Sequence, residues 1–165
     1  ASSEFFSFRH PDPNDPCRSF QLWDVETGKP KLDLSKDLKE TMTDVAYSAD
    51  GKWLAVCAGG SGEEKPAGKV TLLDPATGKM VRELAPPHLL GATDLAFHPD
   101  GKHIFSSGRD QLVKIWRLED GKHARDLGTA KERGVWINAI SISPDGRLLA
   151  AADGAGQVVV YSLIE

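Results

Sequence analysis

A ten-residue phrase that returns twice constrains this chain more than any other feature. Thr43-Asp-Val-Ala-Tyr-Ser-Ala-Asp-Gly-Lys52 reappears as Thr93-Asp-Leu-Ala-Phe-His-Pro-Asp-Gly-Lys102 and, with more change, as Asn138-Ala-Ile-Ser-Ile-Ser-Pro-Asp-Gly-Arg147. The Asp-Gly glycines stand at 51, 101 and 146, so the steps are 50 and 45 residues. A second landmark keeps the same rhythm: Gly28-Lys29, Gly78-Lys79 and Gly121-Lys122 are each followed, six residues after the glycine, by Leu34, Leu84 and Leu127. A period of that length marks a supersecondary unit that buries its apolar faces against copies of itself.

The unit is a β-unit. Val45 and Tyr47, Leu95 and Phe97, and Ile140 and Ile142 sit two residues apart, and period two sends each pair to one face of a strand. Asp50-Gly51, Asp100-Gly101 and Asp145-Gly146 then reverse the chain, because Asp-Gly readily supplies the positive φ of a tight hairpin turn. Second strands are expected through Trp53–Cys57, His103–Ser107 and Leu148–Ala152, and third strands end at Trp23, Leu73, Trp116 and Tyr161. Fourth strands follow Thr27-Gly28, Thr77-Gly78 and Asp120-Gly121. Helix signals are absent, and each unit reads as a four-stranded antiparallel meander.

In Gln21-Leu-Trp-Asp-Val-Glu-Thr-Gly-Lys29 and Val113-Lys-Ile-Trp116 the chain resembles the WD-repeat family, and the resemblance covers almost its whole length. It implies an all-β fold of propeller blades around a central channel. It also implies a His–Ser–Asp–Trp hydrogen-bonded set, supplied in the third unit by His88, Ser106, Asp110 and Trp116. The second unit has Leu38, Val56, Ala67 and Leu73 at those positions and the last has Arg133, Ala151, Ala155 and Tyr161, so packing must replace polar pairing there. Trp-Asp itself survives only at Trp23-Asp24, and Trp116-Arg117 departs from it.

The units divide at about 1–36, 37–86, 87–129 and 130–165, with the first and last partial: about three and a half blades. Closed propellers have typically 4–8, so the expectation is an incomplete ring, either a piece of a longer polypeptide or a half that assembles with another copy. An uncovered blade face of four strands by five residues is roughly 300 Å². At about 25 cal/mol/Å² its exposure costs on the order of 7 kcal/mol, and two such faces rival the roughly 5–15 kcal/mol of net stability of a whole domain. The chain alone is therefore expected to self-associate or to complete its sheets with remaining blades.

The 165 residues carry 20 Lys plus Arg against 24 Asp plus Glu, a formal net charge of −4 with no long run of one sign, which disfavours nucleic acid and anionic membrane as partners. The apolar stretches are strand-sized, well short of the roughly 20 residues of a membrane-spanning helix. Cys17 and Cys57 lack metal-type spacing and read as buried thiols, which leaves the compartment open. His10, Asp12, Asp15 and Cys17 offer ligand chemistry without a recognised spacing, so they read as a solvated polar loop and no metal is assigned. Gly62 to Gly68-Lys69 has five residues between its glycines and Val70 where a phosphate loop needs Ser or Thr. Gly59-Gly-Ser-Gly62 does not form the hydrolase elbow. His88 reads as a buried hydrogen-bonding residue, and His98, His103 and His123 as surface residues beside turns.

No catalytic apparatus and no cofactor site emerge. The resemblance implies a non-enzymatic scaffold whose partner is a protein or peptide, and the alternative is an accessory sensor or regulatory propeller of a larger bacterial enzyme or redox protein. Two enlarged loops are the candidate partner-binding segments, since function often resides on loops held by a rigid frame. They carry Phe5, Phe6, Phe8 and His10 in one and Glu63, Glu64 and Lys65 in the other, the aromatics reading either as strand and loop packing or as interface anchors. Trp136, just before the last unit's first strand, reads either as a further anchor or as packing.

Overall fold

The computed structural model describes residues 20–34, 38, 40–59, 68–128 and 135–164. It divides into two compact units, residues 1–39 and 40–165. In the first, β1 (Gln21–Asp24) pairs antiparallel with β2 (Lys29–Asp33). In the second, three antiparallel sheets follow one another along the chain. The first sheet is β3 (Met42–Tyr47), β4 (Leu54–Ala58), β5 (Gly68–Leu73) and β6 (Met80–His88) in that order. The middle sheet is β7 (Ala92–Phe97), β8 (His103–Gly108), β9 (Val113–Arg117) and β10 (His123–Leu127). The last is three-stranded, β11 (Ile137–Ile142), β12 (Leu148–Asp153) and β13 (Val158–Ser162). Among the described residues the regular structure is all strand, and the sheets do not close on themselves. These are the antiparallel meanders of propeller blades.

Strand alternation decides what each sheet buries. On the middle sheet Ile104 and Trp116 point one way and Phe105, Val113 and Ile115 the other, because neighbouring residues of a strand face opposite sides. The first set meets Ala55, Cys57, Val70, Leu72 and Leu84 of the preceding sheet, joined by Leu95 and Leu118. The second set meets Ile137, Ile140, Leu149 and Ala151 of the following sheet. The core therefore lies between sheets, and the middle sheet is apolar on both faces because both are covered.

The joint is tightest where β5 passes the start of β7. A Cβ built on Gly68 would run into the backbone of Gly91 and Ala92, so only a glycine lets the two sheets approach this closely. Gly101 is glycine for a different reason. It holds φ at 67° in the Asp100-Gly101 turn with open space around it, and its counterparts Gly51 and Gly146 sit at 69° and 73°. The aspartate of each turn fixes the reversal, its side chain accepting the N–H of Lys52 at 3.1 Å, Lys102 at 2.7 Å and Arg147 at 3.1 Å. Gly101→Ala should cost about 1–2 kcal/mol, the penalty of a left-handed L-residue. Gly68→Ala must move backbone in two sheets and should cost more than about 3 kcal/mol. Urea denaturation of the two variants side by side checks the order; equal losses would contradict the close-approach account.

Candidate functional site

Each first strand carries a bulge at the same place. The register of β3 on β4 slips between Met42 and Asp44, that of β7 on β8 between Ala92 and Asp94, and that of β11 on β12 between Ile137 and Ala139. A bulged residue is unpaired within its own sheet and can re-aim its side chain. At Thr43 the hydroxyl donates to the carbonyl oxygen of Ala92 in the next sheet at 2.8 Å, and at Thr93 to that of Ile137 at 2.6 Å. Each threonine is backed from its own second strand, by the Cys57 thiol at 3.2 Å and by the Ser107 hydroxyl at 2.9 Å. Burial pushes the Cys57 thiol up to about 12 against the hydrogen bond with Thr43, so it keeps its hydrogen. The neighbouring aspartates repeat the pattern with charge: Asp44 Oδ2 accepts the N–H of Leu95 at 2.9 Å, and Asp94 Oδ2 that of Ile140 at 2.6 Å.

A second tie crosses the same joint further out. His88 ends β6 in the first sheet, and its Nδ1 lies 2.8 Å from Asp110 Oδ1 while its Nε2 lies 2.8 Å from Ser106 Oγ, both in the middle sheet. Trp116 Nε1–H donates to the same Ser106 oxygen at 3.0 Å, and Asp110 Oδ2 accepts the Leu89 N–H at 3.1 Å. Burial works against the charge on Asp110, but the His88 hydrogen bond and the amides of Leu89 and Leu112 outweigh it and hold the carboxyl below its usual range. The order serine, histidine, aspartate is that of a hydrolase triad. Yet His88 and Ser106 are 0% exposed and the serine oxygen is already engaged by the indole, so no carbonyl can reach it. The network joins two sheets and fixes the rotamers at their contact.

His98, expected on the surface beside its turn, is instead partly buried. Its ring is stacked on Phe105 at 5.8 Å, and its Nε2 is 2.9 Å from the carbonyl oxygen of Gly146 in the following sheet. On the outer side, Arg82 on β6 donates to the carbonyls of Leu118 and Glu119 at 3.1 and 3.2 Å. Apart from the His88 network, which the family resemblance implied, these crossings are not evident from the sequence. The available signal was the Thr-Asp pair at the head of two repeats and its replacement by Asn138-Ala139 in the third.

One rim of the second unit gathers exposed apolar side chains. The turn after β6 presents Leu89, 77% exposed, and Leu90, and it is bonded to the β8–β9 turn through Arg109 N–H and Gly91 carbonyl at 2.9 Å. Trp136, 51% exposed, stands before β11 with the Arg109 guanidinium 4.9 Å from its ring centroid. Phe5, Phe6, Phe8, His10, Glu63, Glu64 and Lys65 lie outside the described residues, as does Cys17. Among the described residues no group of three or more His, Cys, Asp or Glu is placed to hold a metal ion.

A family model for the WD domain, G-beta repeat (WD40), matches residues 78–117 and 127–162. The first match begins at β6 and ends with β9, so one sequence repeat bridges two sheets and brings His88 and Trp116 together. The chain belongs to the WD-repeat propeller family. WD repeat-containing protein 1 of Mus musculus is 38% identical over 85 residues, 51% of this chain and 13% of that protein. WD repeat-containing protein SL1-17 of Schistosoma mansoni is 31% identical over 144 residues, 86% of this chain and 43% of that protein. The WD40 β-propeller domain of Doa1 superimposes with a TM-score of 0.73 at 19% identity, over 90% of this chain and 45% of that one. The WD-repeat chain thus spans less than half the length of these relatives.

Within this WD-repeat frame, Ser106→Ala removes one hydroxyl that serves both His88 and Trp116 and leaves two buried polar nitrogens without it. The variant should lose about 3 kcal/mol, since each buried unsatisfied group costs roughly 1–3 kcal/mol. Ser107→Ala, which removes only the partner of Thr93, should lose about 1 kcal/mol. Urea titration of both variants measures the difference.

Proposed function

We propose that this chain supplies consecutive blades of a larger WD-repeat ring, completed by further blades of the same polypeptide or of a second copy. The completed ring is a stiff, non-catalytic platform that takes a protein or peptide on the rim carrying Leu89, Leu90, Arg109 and Trp136. One observation carries the assembly. Counted from the turn glycine, Val113 and Ile115 of the middle sheet correspond to Val158 and Val160 of the last. The first pair is buried under the following sheet, whereas Val158 and Val160 are 65% and 59% exposed. Leu148 shares that exposure, and Ala150 and Ala152 alternate in the same sense along β12, in register with Val160 and Val158. A face with the positions of a covered blade calls for another blade.

The rim reading rests on an aromatic and a cation held together at the end of a rigid sheet. Trp and Arg are the residue types most enriched among binding hot spots. The peptide or protein that fits is one that offers apolar side chains to the exposed Leu89–Leu90 turn and to the Trp136 ring.

Two measurements test the proposal. Sedimentation of the purified chain should show association that Val160→Lys weakens; a cooperatively melting monomer, unchanged by that substitution, contradicts the ring reading. For the rim, peptides selected from a displayed library on the intact protein should bind Trp136→Ala at least about tenfold more weakly, the loss of one hot-spot side chain. Selected peptides indifferent to both Trp136→Ala and Leu89→Ser would remove the rim from consideration.

A further inference from the structure

Asp44 and Asp94 do more than tie neighbouring sheets, because they meet. The Leu95 N–H that donates to Asp44 Oδ2 at 2.9 Å also lies 3.0 Å from Asp94 Oδ1. Two carboxylates therefore converge on one backbone hydrogen, in a joint where Asp94 Oδ2 already accepts from Ile140 in the third sheet at 2.6 Å. One N–H cannot neutralise two charges, and like charges this close oppose ionisation of both.

The charged and titratable groups around Asp94 can be named element by element. Asp44 stands on β3, and the same strand's Tyr47 is at its opposite end. Cys57 on β4 remains a thiol. On β5, Lys69 is turned to Glu40 and Glu83 at 3.3 and 3.4 Å. On β8, His103 lies at the far end of the strand beside Asp100 at 2.7 Å, while the register partner of Asp94 is Ser107. β11 (Ile137–Ile142) carries no ionisable side chain. No cation faces the pair among these elements, so the compensation available is a proton.

We propose that Asp44 and Asp94 hold one proton between them, and that this shared proton makes the joint of three consecutive blades sensitive to pH. With the proton in place, one carboxyl donates to the other and the oxygens facing Leu95 and Ile140 still accept. When it leaves, two carboxylates repel across the first strands of adjacent sheets. Burial, then the hydrogen bond that the protonated Asp94 carboxyl donates to Asp44, push Asp94 up to about 7, against the pull of the Ile140 amide. The folded protein thus holds this proton more tightly than the unfolded chain does. The stability it contributes is present at low pH and is lost as pH rises from the ordinary carboxylate range through about 7. The turn aspartates run the other way. Asp50 is held down to about 2 by hydrogen bonds from Ser48 and Lys52, so its contribution is lost only in strong acid.

The test is a pair of measurements on the intact protein. Nuclear magnetic resonance of isotope-labelled aspartate carboxyls should show Asp94 titrating near 7, and in Asp44→Asn returning toward the usual carboxylate range. Thermal melting from about pH 5 to about pH 8.5 should fall with rising pH in the unaltered protein. It should be flatter in Asp94→Asn, whose amide donates permanently to Asp44 and whose carbonyl still accepts from Ile140, and this variant should melt higher than the unaltered protein at the alkaline end. An Asp94 that titrates in the ordinary range, or an Asp94→Asn protein with an unchanged slope, overturns the proposal. If Asp94→Asn does not fold, the titration alone decides.

Discussion

A short sheet with apolar side chains on both faces cannot bury itself, and everything else in this molecule follows from that. Trp116 and Ile115 are adjacent in sequence and point to opposite sides of one strand, and both are buried because a different sheet lies on each side. Folding is then a matter of stacking, in which each sheet's stability depends on its neighbours. The apolar contact is non-directional, however, and would tolerate sheets that slide or rotate on one another. The polar crossings remove that freedom. Thr43 and Thr93 hold the bulged heads of the first strands to the next sheet's carbonyls, and His88 and Arg82 hold the last strand of the first sheet to the middle one. Inner and outer strands are fixed separately, which sets an angle as well as a distance.

The two described joints are not built alike. Between the first and middle sheets the outer tie is the buried His88–Asp110–Ser106–Trp116 network and the Arg82 contacts. Between the middle and last sheets the corresponding position of the network is filled by Ala151 and Tyr161, and the additional bond comes from His98 at the turn end. What recurs in both is the inner pair of threonine and aspartate. The invariant part of the joint is thus at the first strands, and the outer part varies with the side chains each repeat supplies.

Much of this was legible from spacing, and the physical reason is locality. Asp50-Gly51, Asp100-Gly101 and Asp145-Gly146 determine their turns within four residues, and period two along Leu95 and Phe97 needs no knowledge of what lies across the sheet. The grouping of His88 with Ser106, Asp110 and Trp116 came from family resemblance, since nothing local joins residues on two sheets. His98 was misjudged for the same reason. A histidine beside a Pro-Asp-Gly turn reads as exposed unless one knows that the Gly146 turn of the next sheet packs on it. The role of Thr43, Asp44, Thr93 and Asp94 was hidden by a bulge that alternation cannot reveal, although their loss together in the third copy was visible as Asn138-Ala139.

That loss has a structural meaning. Asn138 occupies the bulge of β11, so the last sheet keeps the geometry that aims a side chain outward from the first strand. Its neighbour Ala139 cannot accept an N–H as Asp44 and Asp94 do, and Ala152 stands where Cys57 and Ser107 support the threonines. The apolar half of a joint is therefore present on this face in Leu148, Val158 and Val160, while the carboxylate half is missing. A sheet packed there would be held by area and by whatever polar groups it brings itself. In a structure where each joint is one part burial and one part directed hydrogen bond, a joint formed on this face would have its angle set from the other side.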